Sequence, residues 1–338
     1  MAFEMAKMRA LVFTAAATDT STSRVDELDT PVPGRGQVSI DVEHAGVNFK
    51  DVMARRGDPG YVTDWPFVPG LDVAGYVRAL GADATGLNVG DRVAAYTGAG
   101  GLAEVAIAEA DLTVAVPAGL DLQRAAAAPG ALVSAALLVG DVGRLRAGET
   151  LLVHGATGGV GQAVAQLAHL AGAGLVLGTV GSPSRVKAGA SIGYDAIFVR
   201  DSKLAENIRE RTSGNGVDLV LDPQGTTLLD LDLQVAAAGA NIILFGNASG
   251  ALLRPLPSVE RLFAANASVA GFSLAALVAA APARVANALK EVLENLAAGN
   301  LDIDYVTVDG LANAAEAQQA LAEGRSHGKQ IVDIAAGH

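Results

Sequence analysis

The sequence predicts an α/β protein in two parts, a compact β-rich domain followed by a doubly wound parallel sheet with helices on both faces. Three observations predict this. At 338 residues the chain exceeds the size at which one hydrophobic core usually stops growing. Its first third reads as short strands separated by turn signals, with no long helical pattern between most of them. From about residue 122 onward, strand and helix patterns alternate in the rhythm of a parallel sheet.

In the β-rich part, Arg9-Ala-Leu-Val-Phe13 is strand-like and Gln37-Val-Ser-Ile-Asp-Val-Glu43 alternates polar and apolar side chains at period two. Short runs at 73–78, 92–95 and 112–116 continue the pattern, and Pro31-Val-Pro-Gly34 and Pro69-Gly70 mark turns. An Ala/Leu-rich segment, 122–139, is interrupted by Pro129-Gly130. Strands are then expected at 150–154, 175–180, 196–199, 217–221 and 240–245, and helices at 160–171, 183–192, 204–211 and 227–237. Beyond Phe272 follow a helix over 281–298, an extended run at 302–308, a helix over 311–321 and a terminal strand at 328–333. This tail is too short for an independent domain and is expected to rejoin the others, giving boundaries at 1–123, 124–270 and 271–338. The apolar stretch 274–285 is shorter than a membrane span and interrupted by Pro282, so a buried helix or a subunit interface is expected.

Composition narrows the function. Hydrophobic residues make up 51% and charged residues 18%, which supports a large core and argues against disorder. A formal charge of −12 with no basic run disfavours nucleic acid as a partner. The absence of cysteine excludes disulfides, thiolate catalysis and cysteine-ligated zinc. The five histidines, His44, His154, His169, His327 and His338, form no metal-ligand spacing. Residues 1–7 lead into the first strand without a long apolar segment, so a soluble, cytoplasmic protein without a membrane partner is expected.

The strongest motif is Ala156-Thr157-Gly158-Gly159-Val160-Gly161, placed where a strand ends and a helix begins. Small residues there let backbone N–H groups approach a pyrophosphate at the helix N-terminus, where the helix field favours an anion. Such a cluster alone also serves as an ordinary turn; the strand and helix units that follow it favour nucleotide binding. After the second strand the chain reads Thr179-Val-Gly-Ser-Pro-Ser-Arg185, with no acid to accept the adenosine ribose hydroxyls. Ser182 caps the next helix, Arg185 suits a 2′-phosphate, and Arg200 at the end of the third strand offers a second positive contact. NADP(H) is therefore the expected cofactor, with exposed surface charge the alternative for each arginine.

Together, Ala45-Gly-Val-Asn-Phe-Lys-Asp51, Phe67-Val-Pro-Gly-Leu-Asp72, Val89-Gly-Asp-Arg-Val93, Gly101-Leu-Ala-Glu104, His154 to Gly161 and Gly328-Lys329 resemble the medium-chain dehydrogenase/reductase superfamily. The likeness runs nearly end to end, its motifs are specific to the superfamily, and within it they resemble the zinc-independent quinone oxidoreductase, or zeta-crystallin-like, branch, with similarity to enoyl reductases. It implies a chaperonin-10-like catalytic domain, an inserted Rossmann cofactor domain, an active site in the cleft between them, and a homodimer joined through the cofactor domains. Where zinc enzymes of the family carry a cysteine ligand this sequence has Val47 or Asn48. Where they carry Gly-His-Glu it has Gly70-Leu71-Asp72.

The resemblance also implies that Asn48 faces the nicotinamide and donates to a substrate carbonyl, with a loop-capping role as the alternative. Tyr61 is implied to assist proton donation or placement, although Gly57-Asp-Pro-Gly60 departs from the usual pattern and ring packing is equally compatible. Asp51 resembles a loop-stabilising position. Ser134, Phe245, Gly246, Asn247, Phe272 and Ser273 resemble nicotinamide-side positions, and Lys329 resembles a contact at the cofactor end of the cleft. The reaction implied is NADPH-dependent reduction of a quinone or a small conjugated carbonyl. The alternatives are an enoyl-thioester reductase of polyketide or fatty-acid type and a non-catalytic NADPH-binding redox sensor.

Overall fold

A computed structural model of the chain describes residues 6–62, 64–189 and 191–336; residues 1–5 and His338 lie outside the described residues. Along the chain the first elements are β1 (Lys7–Phe13), β2 (Ser23–Asp29), β3 (Gln37–Gly46), α1 (Phe49–Arg56), β4 (Asp72–Leu80), β5 (Arg92–Tyr96), β6 (Val105–Glu109), β7 (Thr113–Ala115) and α2 (Leu122–Ala125). Then come α3 (Val133–Ala136), β8 (Thr150–His154), α4 (Gly159–Leu170), β9 (Leu175–Val180), α5 (Pro183–Ala188), β10 (Ala196–Val199), α6 (Leu204–Arg211), β11 (Val217–Asp222), α7 (Leu229–Val235), β12 (Ala236–Leu244), α8 (Val259–Ala265) and β13 (Ser268–Gly271). The last elements are α9 (Leu274–Ala280), α10 (Pro282–Ala298), β14 (Tyr305–Asp309), α11 (Ala314–Ala322) and β15 (Lys329–Asp333).

These elements form two compact units, one of Met1–Val133 with Ala275–His338 and one of Ser134–Leu274. In the first, β14-β15-β3-β4-β5-β7 form one sheet, with β6 also pairing β3, and β1 pairs β2 in a separate ribbon. The tail enters this sheet through β15, which runs antiparallel to β3 with Ile331 opposite Gly46. The core is built from alternating inward positions such as Val38, Ile40 and Val42 of β3, joined by Val332 of β15. Helix α10 lays Val285, Ala288, Leu289, Val292, Leu293 and Leu296 on one buried stripe, the spacing of an amphipathic helix. The apolar run Ala125–Leu132 is buried against β4 and β5, so it belongs to this unit.

The second unit is a six-stranded parallel sheet in the order β10-β9-β8-β11-β12-β13. Counted from β8 this is 3-2-1-4-5-6, the doubly wound dinucleotide-binding order, with its reversal between β8 and β11. Leu152, Leu177, Val220 and Ile242, one from each of four neighbouring strands, share a core with Leu204 and Ile208 of α6.

Several elements differ from those the sequence suggests. The helix expected over 227–237 stops at Val235, because Ala236 already pairs in parallel with Val217. The helix expected over 183–192 ends at Gly189, beyond which the chain turns toward β10. In place of a buried helix over 274–285, α9 buries none of its side chains, and Pro282 opens α10. Strands β2, β6 and β13 and helices α1 and α8 carry no clear periodicity and emerge only in the fold.

Candidate functional site

In the unit Ser134–Leu274, the glycine cluster closes β8 and opens α4. Gly155 takes φ +80°, a left-handed conformation that glycine adopts without strain, and Gly158 caps α4. Gly161 is required for close packing: a Cβ there would fall 2.5 Å from the Gly155 oxygen and 2.6 Å from the Ala156 oxygen. Ala156 and Thr157 are buried, while Gly158, Gly159 and Val160 remain partly accessible at the head of a twelve-residue helix. A narrow loop of small residues leading into this helix fits a pyrophosphate.

The turn after β9 supplies the second half of a nucleotide site. Ser182 caps α5 in extended conformation, its hydroxyl 3.0 Å from that of Ser184, and Arg185 lies in the helix beyond it. Arg200 reaches the same turn, since a Cβ on Gly181 would come 3.2 Å from its Nη2. Burial lowers the pKa of Arg200, Asp222 opposes that shift, and the Arg185 charge adds to it. Two guanidiniums that repel one another beside an acid-free turn fit the 2′-phosphate of NADP(H).

On the other side of the sheet reversal, the Phe245 N–H bonds the Asp222 carbonyl and the Ala248 N–H bonds that of Pro223. Gly246 allows the chain to pass 3.3 Å from the Pro223 oxygen, measured from a hypothetical Cβ. Asn247 donates to the Ala251 oxygen at 2.9 Å and accepts from the Ser249 hydroxyl at 3.0 Å, so its amide organises its own loop. Phe272 bonds back to Leu244, Ser273 follows it in an exposed position, and Ser134 is half-buried in α3.

The other polar cluster lies in the first unit. Lys329, at the start of β15, is 3% exposed and places Nζ 2.7 Å from Asp72 Oδ2 and 2.7 Å from Asn48 Oδ1. Asn48 Nδ2 donates to the same Asp72 oxygen at 2.8 Å and to the Gly46 carbonyl at 3.1 Å. The ammonium only donates and the carboxylate only accepts, which fixes the orientation of the Asn48 amide. Gly46 makes room for the meeting: a Cβ there would lie 2.9 Å from both Asp72 Oδ2 and Lys329 Cε.

Two of the sequence expectations meet a buried setting here. The Lys329 ammonium gives two of its three N–H groups to Asp72 and Asn48. Both side-chain N–H groups of Asn48 are bonded, to Asp72 and to the Gly46 carbonyl. Tyr61 sits half-buried in the turn beyond α1, its N–H bonded to the Asp58 carbonyl at 3.2 Å. Burial and the Asp58 charge raise its phenol above the usual value, so it is protonated at neutral pH and a weaker acid than a free tyrosine.

Asp51 locks the loop. Its Oδ2 accepts from the Asn48 N–H at 2.8 Å and its Oδ1 from the Gly70 N–H at 2.9 Å, and burial pushes its carboxyl up to about 6. An Asp51→Asn variant turns an NH2 toward one of these donors and is expected to lose about 1–3 kcal/mol of stability. The folded protein holds the Asp51 proton from the ordinary carboxyl value up to about 6, whereas the unfolded chain releases it near 3.8. The wild-type advantage therefore shrinks as pH rises from about 4 to about 6. Denaturant melts of both proteins at the two ends of that range check the sign.

Sequence reasoning missed Lys50. It donates to the Gly98 carbonyl at 3.1 Å and lies 3.3 Å from the Tyr96 hydroxyl, with burial lowering its pKa. Strand β5, buried over its last four residues, brings Tyr96 to it, and nothing local in the sequence signals the pairing. Among the described residues no group of three metal-ligating side chains is gathered, and no helix is long and apolar enough to cross a membrane.

Comparison with known proteins adds to this geometry. The zinc-binding dehydrogenase family matches residues 159–296 and the alcohol dehydrogenase GroES-like domain family matches residues 34–118. The chain is 34% identical over 317 residues to a phenolphthiocerol/phthiocerol polyketide synthase of Mycobacterium tuberculosis. That alignment covers 92% of this chain but 14% of the synthase, so the chain spans a small fraction of that relative's length. A mycobacterial quinone oxidoreductase is 30% identical, with a TM-score of 0.84 over 96% of this chain and 99% of that one. A mycobacterial protein solved in complex with NADPH is also 30% identical, with a TM-score of 0.86 and the same coverage.

Proposed function

This chain belongs to the medium-chain dehydrogenase/reductase superfamily, in its zinc-independent quinone oxidoreductase branch, and we propose that it reduces a quinone or a small conjugated carbonyl compound with NADPH. The observation that carries the reading is the join of a glycine loop to an acid-free turn that Arg200 reaches, with Arg185 in the helix that follows it. The backbone N–H groups at 158–161 would hold the pyrophosphate, and the two arginines the 2′-phosphate. Ser134, Phe245, Gly246, Asn247, Phe272 and Ser273 would border the nicotinamide. When bound, NADPH supplies the hydride. The chain binds and orients the reactants and supplies or admits the proton that completes the reduction.

Tyr61 is the proposed proton donor, and Asn48, Asp72 and Lys329 act as a rigid support for the loop that leads into α1. Tyr61→Phe keeps the ring and removes the hydroxyl. The variant is expected to bind NADPH normally and to lose turnover on enoyl substrates, while quinones suffer less because their reduced oxygens take protons from water. Unchanged steady-state turnover on every accepted substrate would relegate Tyr61 to packing.

The second reading, an enoyl-thioester reductase, is favoured by the 34% identity to a polyketide synthase. A panel of 1,4-quinones, short enones and enoyl thioesters with NADPH separates the two, and turnover of thioesters alone would reject the quinone assignment.

A homodimer joined through the cofactor-binding unit is also proposed. Leu252, Leu253, Leu256, Val259 and Phe263 of that unit are exposed large apolar side chains, more than an isolated surface usually gathers. Light scattering should give twice the chain mass for the wild type and a lower mass for Phe263→Asp; a monomeric wild type refutes the dimer.

A further inference from the structure

Next to the turn that Arg200 reaches, the cofactor-binding unit holds a buried chain of polar side chains with no place in the reaction. Arg200 Nη1 lies 3.4 Å from Thr179 Oγ1, Thr179 Oγ1 lies 2.7 Å from His154 Nδ1, and His154 Nε2 lies 2.8 Å from Asp232 Oδ1. Thr179, His154 and Asp232 are almost completely buried. Asp222, at the end of β11, lies beside Asp232 and faces the Arg200 charge.

The direction of the chain is set at its two ends. An ionised Asp232 Oδ1 can only accept, so the single proton of the neutral imidazole sits on Nε2 and Nδ1 accepts from the Thr179 hydroxyl. The guanidinium of Arg200 can only donate, so Thr179 Oγ1 accepts from it. The imidazole is neutral, in accord with burial pushing His154 down to about 4. With each hydrogen assigned, the Thr179 hydroxyl has one orientation available, and it turns a lone pair toward Arg200.

The same threonine is tied to the glycine loop. Its carbonyl accepts from the Gly155 N–H at 2.9 Å and from the Ala156 N–H at 3.0 Å, while the Arg200 N–H bonds the adjacent Val180 carbonyl at 2.9 Å. One residue of β9 thus contacts the start of the pyrophosphate loop through its backbone and the arginine through its side chain. Unrestrained, an arginine loses rotamer freedom when it grips an anion, and holding it beforehand lowers that cost.

We propose that Thr179 and His154 are positioning residues for nucleotide selectivity, holding Arg200 in the orientation that receives the 2′-phosphate so that discrimination between NADPH and NADH is set partly from beneath the site. The inference rests on the reading of Arg200 as a phosphate contact. It makes His154 a determinant of cofactor choice rather than of chemistry.

The test is the dissociation constants of NADPH and NADH for Thr179→Val, Thr179→Ser and Arg200→Ala, and for Thr179→Val combined with Arg200→Ala. Thr179→Val is expected to weaken NADPH three- to tenfold and NADH less than twofold, whereas Thr179→Ser keeps both within twofold of wild type. Once Arg200 is alanine, Thr179→Val should add nothing to the NADPH loss. Equal weakening of both nucleotides, or a valine penalty that persists without Arg200, overturns the inference while leaving Arg200 as a phosphate contact. If Arg200→Ala leaves the ratio of the two constants unchanged, the reading of Arg200 fails and the inference falls with it. Nitrogen-15 spectra of the wild-type protein give a check that needs no variant. They should show His154 neutral and protonated on Nε2, and protonation on Nδ1 contradicts the proposed direction.

Discussion

Replacing Lys329 with methionine is expected to lower the stability of its unit by about 3–5 kcal/mol, the usual cost of leaving a buried charge without its partner. Methionine keeps most of the length of the side chain, so the loss comes from the ammonium rather than from a cavity. In the wild type the carboxylate of Asp72, fully buried, receives Nζ of Lys329 and Nδ2 of Asn48. Burial already raises the Asp72 pKa even though Lys329 opposes the shift. Without the ammonium the carboxyl takes up a proton more readily, so the loss is smaller in acid than at neutral pH. Trp65 is the single tryptophan and belongs to this unit, so its fluorescence in a denaturant titration reports the relevant transition. Adding Asp72→Asn to Lys329→Met should recover part of the loss, because the neutral amide no longer needs a cation. A single variant as stable as wild type would show that the pair is not a net stabiliser.

Arg185→Ala is expected to weaken NADPH by about 1.5–3 kcal/mol, roughly ten- to hundredfold, by removing a charged hydrogen-bond donor to the 2′-phosphate. NADH should change less than twofold, since it lacks that phosphate and shares the ribose and pyrophosphate contacts. Arg200 reaches the same turn and retains part of the phosphate interaction, which places the effect toward the lower end of the range. Titration of both nucleotides by calorimetry or fluorescence measures the two constants directly. Equal changes would remove Arg185 from the phosphate site.

The two sites differ in how far the sequence reveals them. The nucleotide loop was legible because its signal is local: a strand, four small residues and a helix that opens on glycine occur in direct succession from Thr150 to Leu170. The absence of an acid after β9 and the presence of Arg185 were likewise visible within a few residues. The Asn48–Asp72–Lys329 cluster was not, because its members are brought together by the register of β15, β3 and β4, with Lys329 and Asn48 281 positions apart. Asn48 and Lys329 looked like residues facing the reactants, and only the fold reveals that they satisfy one another. His154 ends β8, and nothing near it in sequence shows its partners Thr179 and Asp232, which come from β9 and α7. Helix α9 looked like core from its Leu-Ala-Ala-Leu-Val-Ala-Ala composition, and hydropathy alone does not tell a buried helix from an apolar surface one.

Hydride transfer from NADPH to a conjugated carbonyl compound is followed by incubating the protein with NADPH deuterated at C4 of the nicotinamide, in each stereochemical form, and a short enone, and analysing the product by mass spectrometry. One deuterium is expected on the carbon β to the carbonyl from one of the two labelled forms, with an equal amount of NADPH oxidised. Product without the label from either form, or tight NADPH binding with no oxidation across quinones, enones and enoyl thioesters, would contradict that transfer.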